Sequence, residues 1–211
     1  ASWFQSVNAV CIIAFAPLHL DHAGGSGAYM QAFPHAKFVV HPRGTRHMVA
    51  PAKLMAATEA VYGRERAREL YGELLPIPAA RVIETTDGMV LTLGRRELAF
   101  YDSPGHAKHH VFIHDRAANG IFTGDTFGIS YREFDSARGP WILAISTPVQ
   151  FDPPALQASV RRLLAKQPRC MHLTHYGRVG DVARLGAELI AGIDRLVTLG
   201  LSTPGGTGRD E

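Results

Sequence analysis

Cysteine is almost missing from this chain. Of 211 residues only Cys11 and Cys170 are cysteines, and neither sits in a Cys-x-x-Cys pair. A disulfide framework is therefore excluded as the source of stability, and a reducing, cytoplasmic compartment is the expectation. Long apolar runs are missing as well, so no membrane partner is expected. Charge of one sign is also lacking. The 22 Lys and Arg stand against 19 Asp and Glu, for a formal net charge of +3. The two signs interleave, as in "GRERARELYGE" from Gly63 to Glu73. Such interleaving reads as a solvated helix face, and no nucleic-acid partner is expected. The chain has no initiator Met, and no signal peptide is visible in its opening "ASWFQSVNAVCIIAF".

Histidine is what the chain has in quantity. There are 11, and they cluster. The remaining composition, 46% hydrophobic and 19% charged, is that of an ordinary globular protein. The length suits one domain, expected over 1–202, with 203–211 a disordered tail.

Pattern predicts a mixed α/β chain. Val7 to Phe15 reads as a buried strand and Ala36 to His41 as a short one. "GGSGAYMQAF" reads as a loop entering a short helix. Pro51 opens one helical stretch to Leu75, a lid-like insertion over a site. Strands follow around Arg81 to Thr85, Met89 to Leu93 and Glu97 to Ser103, with turn signals at Asp87-Gly88 and Gly94. His109 to Asp115 and Gly120 to Asp125 flank the turn at Asn119. Asp152 is an N-cap with Pro153 at the first helical position. Arg169 to His175 is a short strand. Val182, Leu185, Leu189, Ile193 and Leu196 stripe a final helix that Gly200 ends.

Four separated segments deliver imidazole or carboxylate at strand ends. They are "HLDH" (His19 to His22), "SPGHAKHH" (Ser103 to His110), "FTGDTFG" (Phe122 to Gly128) and "LTHYG" (Leu173 to Gly177). Imidazole and carboxylate are ligands of Zn, Fe and Mn. An extended segment throws alternate side chains to one side, so His19 and Asp21 point together, and a turn lets His22 reach in. Alternation also puts His110 and His114 on one strand face, where they read as structural or as hydrogen-bonding a ligand.

This set, in this order, resembles the metallo-β-lactamase superfamily. That family carries a His-x-His-x-Asp-His loop, a His after a Pro-Gly turn, a Gly-Asp pair and a final His. The resemblance implies an αβ/βα four-layer sandwich. Fewer strands precede the His-rich loop than the family places there, so the fold is expected to be N-terminally truncated. The missing strands would expose an apolar edge, an association hazard consistent with a homo-oligomer. The resemblance also implies two adjacent metal sites. His19 and His106 belong to the first, Asp21, His22 and His175 to the second, and Asp125 bridges them. Pro17 stands where the family has its first His, and Ala16 where it has Thr or Ser. The first site is therefore expected to be weakened.

The activity so implied is hydrolysis of a small-molecule ester, thioester, lactone or amide by a metal-bound hydroxide, with Asp21 helping to orient the nucleophile. One or two Zn ions are expected, with Fe or Mn as alternatives. Pro17 motivates a second reading, an impaired or vestigial module of the same fold. A third is a non-haem iron persulfide dioxygenase built on His19, His106 and Asp125.

Overall fold

Two β-sheets carry the structure, which a computed structural model describes for residues 12–14, 19–147 and 150–202. The first sheet is parallel, in the order β1 (Ile12–Ala14), β2 (Lys37–Val40), β3 (Val82–Glu84). Parallel neighbours need long crossovers, and helices supply them. Between β1 and β2 lie α1 (Leu20–Ala23) and α2 (Ser26–Ala32). Between β2 and β3 lie α3 (Pro42–Val49), α4 (Ala52–Tyr62) and α5 (Arg64–Tyr71).

The second sheet has six strands in chain order: β4 (Val90–Leu93), β5 (Arg96–Asp102), β6 (Val111–Asp115), β7 (Gly120–Gly124), β8 (Cys170–Leu173) and β9 (Gly177–Val179). Its neighbours are antiparallel except β7 and β8, which are parallel. The crossover between those two carries α6 (Pro153–Leu164), and α7 (Val182–Ser202) follows β9.

Strand alternation turns these elements into layers. Phe38 and Val40 on β2 face the helices, packing with Ala23, Met30 and Met48. Val39 between them points the other way, to Phe100 and Ile113 of the second sheet. On β6, Phe112 leaves the opposite face and packs with Leu156, Val160, Leu185 and Leu189 of α6 and α7. The order is helix, sheet, sheet, helix, the αβ/βα arrangement expected. Each fully buried Leu, Ile or Phe in these three clusters contributes about 1.5–3 kcal/mol.

Local chemistry explains the ends of several elements. Asp152 caps α6 by accepting the Ala155 N–H at 3.0 Å, with Pro153 in the first turn, as its sequence indicates. Asn119 adopts a positive φ of 45° in the β6–β7 turn.

Some expectations are corrected. Residues 20–23 form a helical turn and not an extended run. The stretch from Pro51 to Leu75 is not one helix, because Gly63 at φ 79° breaks it into α4 and α5. α3 has no clear signature in the sequence, because its apolar content is low and only Gly44 and Met48 are buried. The Asp87-Gly88 turn joins no hairpin, since β3 and β4 belong to different sheets. β8 ends at Leu173, and a short β8–β9 hairpin follows. α7 runs past Gly200 to Ser202. Most of the Val7 to Phe15 strand, Cys11, Ala16, Pro17 and the 203–211 tail lie outside the described residues.

Candidate metal centre

β5, β7 and β8 run in one direction, so their C-terminal ends share an edge of the second sheet. His106 follows β5, Asp125 follows β7 and His175 follows β8. His19 and His22 follow β1 of the other sheet. The two sheets thus bring four distant segments to one place.

Backbone geometry aims each side chain. Gly105 has φ 129°, and a Cβ there would lie 2.2 Å from the Leu156 nitrogen. Only glycine lets the chain pass α6 this closely and deliver His106. Gly124 (φ 51°) follows a register shift between Phe122 and Gly124, a bulge that re-aims Asp125 off the end of β7. Tyr176, beside His175, holds φ 74°, a costly conformation for an aromatic residue. The α1 turn presents Asp21 and His22 together, with His19 extended at its N-cap.

Asp125 stands at the middle. Its Oδ2 is 3.2 Å from His22 Nε2, 3.3 Å from His106 Nε2 and 3.7 Å from His19 Nδ1. Its Oδ1 is 3.5 Å from His175 Nε2. Asp21 Oδ2 is 3.4 Å from His22 Nε2 and 3.7 Å from His175 Nε2. The donor atoms fall into two groups, each within 4.8 Å: His19, His106 and Asp125, and Asp21, His22 and His175. All six residues singled out in the sequence therefore lie together, three in each group. The alternation argument fails for Asp21 and His19, which join different groups because the segment is helical.

The donors fit a cation. His22 Nε2, His106 Nε2 and Asp125 Oδ1 are buried with no hydrogen-bond partner among the described residues. Buried polar atoms without partners are costly, and three gathered at the Asp125 carboxylate suit the neighbourhood of a cation. Burial opposes charge on Asp125, but His19, His22 and the His106 field hold its carboxyl below the usual carboxylate range. Burial also opposes charge on His22, yet the Asp125 and Asp21 carboxylates raise it to about 9. Contact with His22 lowers Asp21. Burial lowers His106.

His110, read from sequence as structural or as hydrogen-bonding a ligand, does both. It is 1% exposed. Its Nε2 accepts the Asp125 backbone N–H at 3.0 Å, so Nδ1 carries the proton and faces Ser103 Oγ and Thr126 Oγ1, each at 3.0 Å. Burial holds this imidazole neutral, at about 3. Ser103 and Thr126 escape a reading of the sequence, since nothing in a lone hydroxyl marks a buried partner. His114 instead meets Asn119 Oδ1 at 3.1 Å, away from the centre.

A cavity of about 1090 Å³ opens beside the centre. His19 and Asp21 line its floor, and Leu54, Thr58, Tyr62 and Tyr71 of the α4–α5 insertion line its wall. The insertion thus borders the cavity. On the His175 side Tyr176 leans on Tyr131, ring centroids 4.3 Å apart, at the edge of a cluster with Phe134 and Trp141.

Layered αβ/βα sandwiches with His and Asp at the strand ends between two sheets form a distinct class of metal-binding folds. A model of the metallo-beta-lactamase superfamily matches residues 18–175, and the chain belongs to that superfamily. The metallo-beta-lactamase fold-containing protein ST1585 of Sulfurisphaera tokodaii is 24% identical over 180 residues, covering 83% of this chain and 64% of that protein. This chain thus spans less than two thirds of that relative. The crystal structure of the archaeal ST1585 aligns with TM-score 0.72 over 89% of this chain and 69% of that one, at 24% identity. TTHA1429 of Thermus thermophilus aligns with TM-score 0.66 at 21% identity, over 96% of this chain and 66% of that one. TTHA1623 in a di-iron-bound form aligns with TM-score 0.56 at 24% identity, over 89% and 79%. Among the described residues no helix is long and apolar enough to cross a membrane.

Proposed function

We propose that this chain is a metal-dependent hydrolase of a small-molecule ester, thioester, lactone or amide. One observation carries the reading. The partnerless buried atoms of His22, His106 and Asp125 converge where two donor groups share one carboxylate. His19, His106 and Asp125 would hold one ion, and Asp21, His22 and His175 the other, with Asp125 serving both. Zn is the first expectation, and the di-iron form of TTHA1623 keeps Fe open.

Bound divalent ions would supply Lewis acidity and lower the pKa of water at neutral pH. The chain supplies the rest. Asp125 sets Oδ2 within 3.7 Å of His19, His22 and His106 and Oδ1 3.5 Å from His175, so its carboxylate would serve both donor groups. His110 and its hydroxyl partners fix the Asp125 backbone. Asp21 is half exposed at the cavity floor, so its carboxylate can accept a proton from water next to a bound carbonyl. Elemental analysis with a chelator test checks this. Stoichiometric Zn, Fe or Mn, and hydrolysis abolished by chelation, are expected. Metal-free protein whose hydrolysis ignores chelator would overturn it.

Pro17 supports a second reading, an impaired module of the same fold, because proline has no donor atom at the position the family gives to histidine. Pro17→His separates the two. A rise in metal content and hydrolysis by orders of magnitude favours impairment, while high hydrolysis in the unchanged chain removes that reading.

A further inference from the structure

We propose that the cavity beside the metal centre selects substrates bearing a carboxylate or phosphate set apart from the scissile bond. This rests on the hydrolase reading for the scissile bond, and on the cavity wall alone for the anion.

α3 shares the lining with the α4–α5 insertion and supplies its arginines. Arg43, Arg46 and His47 lie on the face of that helix that lines the cavity, while Gly44 and Met48 are buried on the opposite face. Lys108 enters from the loop behind His106. Arg43, Arg46 and Lys108 are exposed to the cavity, and none makes an ion pair among the described residues. Elsewhere the chain pairs its cations readily, as in Arg96 with Asp115, Arg162 with Asp87 and Arg184 with Asp181.

The acidic side of the cavity is nearly empty. Asp21 is the one carboxylate on the wall among the described residues, and it belongs to the metal donors. A cation-lined cleft with apolar walls focuses its field and draws anions in. Arginine is suited to hold them, because its planar fork matches carboxylate and phosphate oxygens. Arg46 Nε donates to His47 Nε2 at 3.2 Å, which steadies the guanidinium and leaves its terminal donors for a ligand. The Lys108 backbone N–H donates to Gln150 Oε1 at 3.0 Å, which ties down the loop that carries the ammonium. The volume suits a ligand that spans from the centre to α3, since pockets for small molecules run to about 1,000 Å³.

The test uses three thioesters that share one acyl group and differ in the thiol part: neutral, carboxylated and phosphorylated. Turnover is measured for the metal-loaded chain and for its Arg43→Gln/Arg46→Gln double variant. Affinity for the matching uncleavable thioethers is measured by calorimetry on metal-free protein. The anionic-to-neutral ratio of kcat/KM is expected to be about tenfold or more, carried by KM, and to collapse toward one in the double variant. The thioether affinities follow the same ratio. Whichever anion gains more identifies the source. A ratio near one in the unchanged chain, or a ratio that survives the double substitution, overturns the inference. If no thioester turns over, thioesters are struck from the proposed substrates, and the thioether affinities still decide the anion.

Discussion

The backbone N–H of Asp125 donates to Nε2 of His110 at 3.0 Å, deep in the protein, just where β7 ends. This one bond sets a tautomer and a carboxylate position together. The imidazole must accept at Nε2, so its proton sits on Nδ1, against two buried hydroxyls.

His110→Ala leaves the Asp125 N–H and the Ser103 and Thr126 hydroxyls short of a partner. It is expected to cost about 2–4 kcal/mol of stability and about 10–100-fold in metal affinity. Chemical denaturation and chelator competition read the two effects. His110→Gln should recover part of the affinity. Lost stability with unchanged affinity would show that His110 merely fills space.

Asp125→Asn keeps the shape and removes the charge shared by both donor groups. Metal content should fall at both sites together. His106→Ala should empty only its own group, and His175→Ala only the other. Metal per chain for the three variants checks this, and equal losses in all three would refute the division.

Two opposed histidine environments are expected to give the metal-free chain a stability maximum. Burial holds His109 at about 4 and His110 at about 3, against an ordinary 6.5. The unfolded chain takes up those protons first, so stability falls as pH drops below 6.5, and the lowered Asp125 adds to that loss at still lower pH. His22 is raised to about 9, so its contribution is complete below 6.5 and is lost as pH rises through 9. Metal binding must displace the His22 proton, so the stabilisation by Zn should grow as pH rises toward 9. Melting temperatures with and without Zn across this range test it. A metal-free chain most stable at alkaline pH would contradict the assignment.

Gly105→Ala forces a Cβ against the Leu156 backbone at a φ that favours glycine. Destabilisation of about 2–4 kcal/mol is expected from strain and overpacking combined. A calorimetric melting temperature equal to that of the unchanged chain would rule out the tight passage.

Much of the candidate centre is legible in the sequence because imidazole and carboxylate are carried by few residue types. His19, Asp21, His22, His106, Asp125 and His175 announce themselves by imidazole and carboxylate in four short segments. Asp152 and Asn119 are legible for a similar reason, since caps and tight turns admit few side chains. α3 is not legible, because its cavity face is polar and its buried face is only Gly44 and Met48. The break at Gly63 is hidden because good helix formers continue on both sides of it.

The chain itself determined the fold class, the strand alternation that makes Phe38, Val39 and Val40 serve two layers, and the donor set. Those properties are written in residue type and spacing. Tertiary structure alone decided that Ser103 and Thr126 back His110 against the Asp125 backbone, where the cavity opens, and which cations face it without an ion pair among the described residues. Each of those depends on where two separate sheets and an inserted helix pair come to rest, over distances that no local pattern encodes.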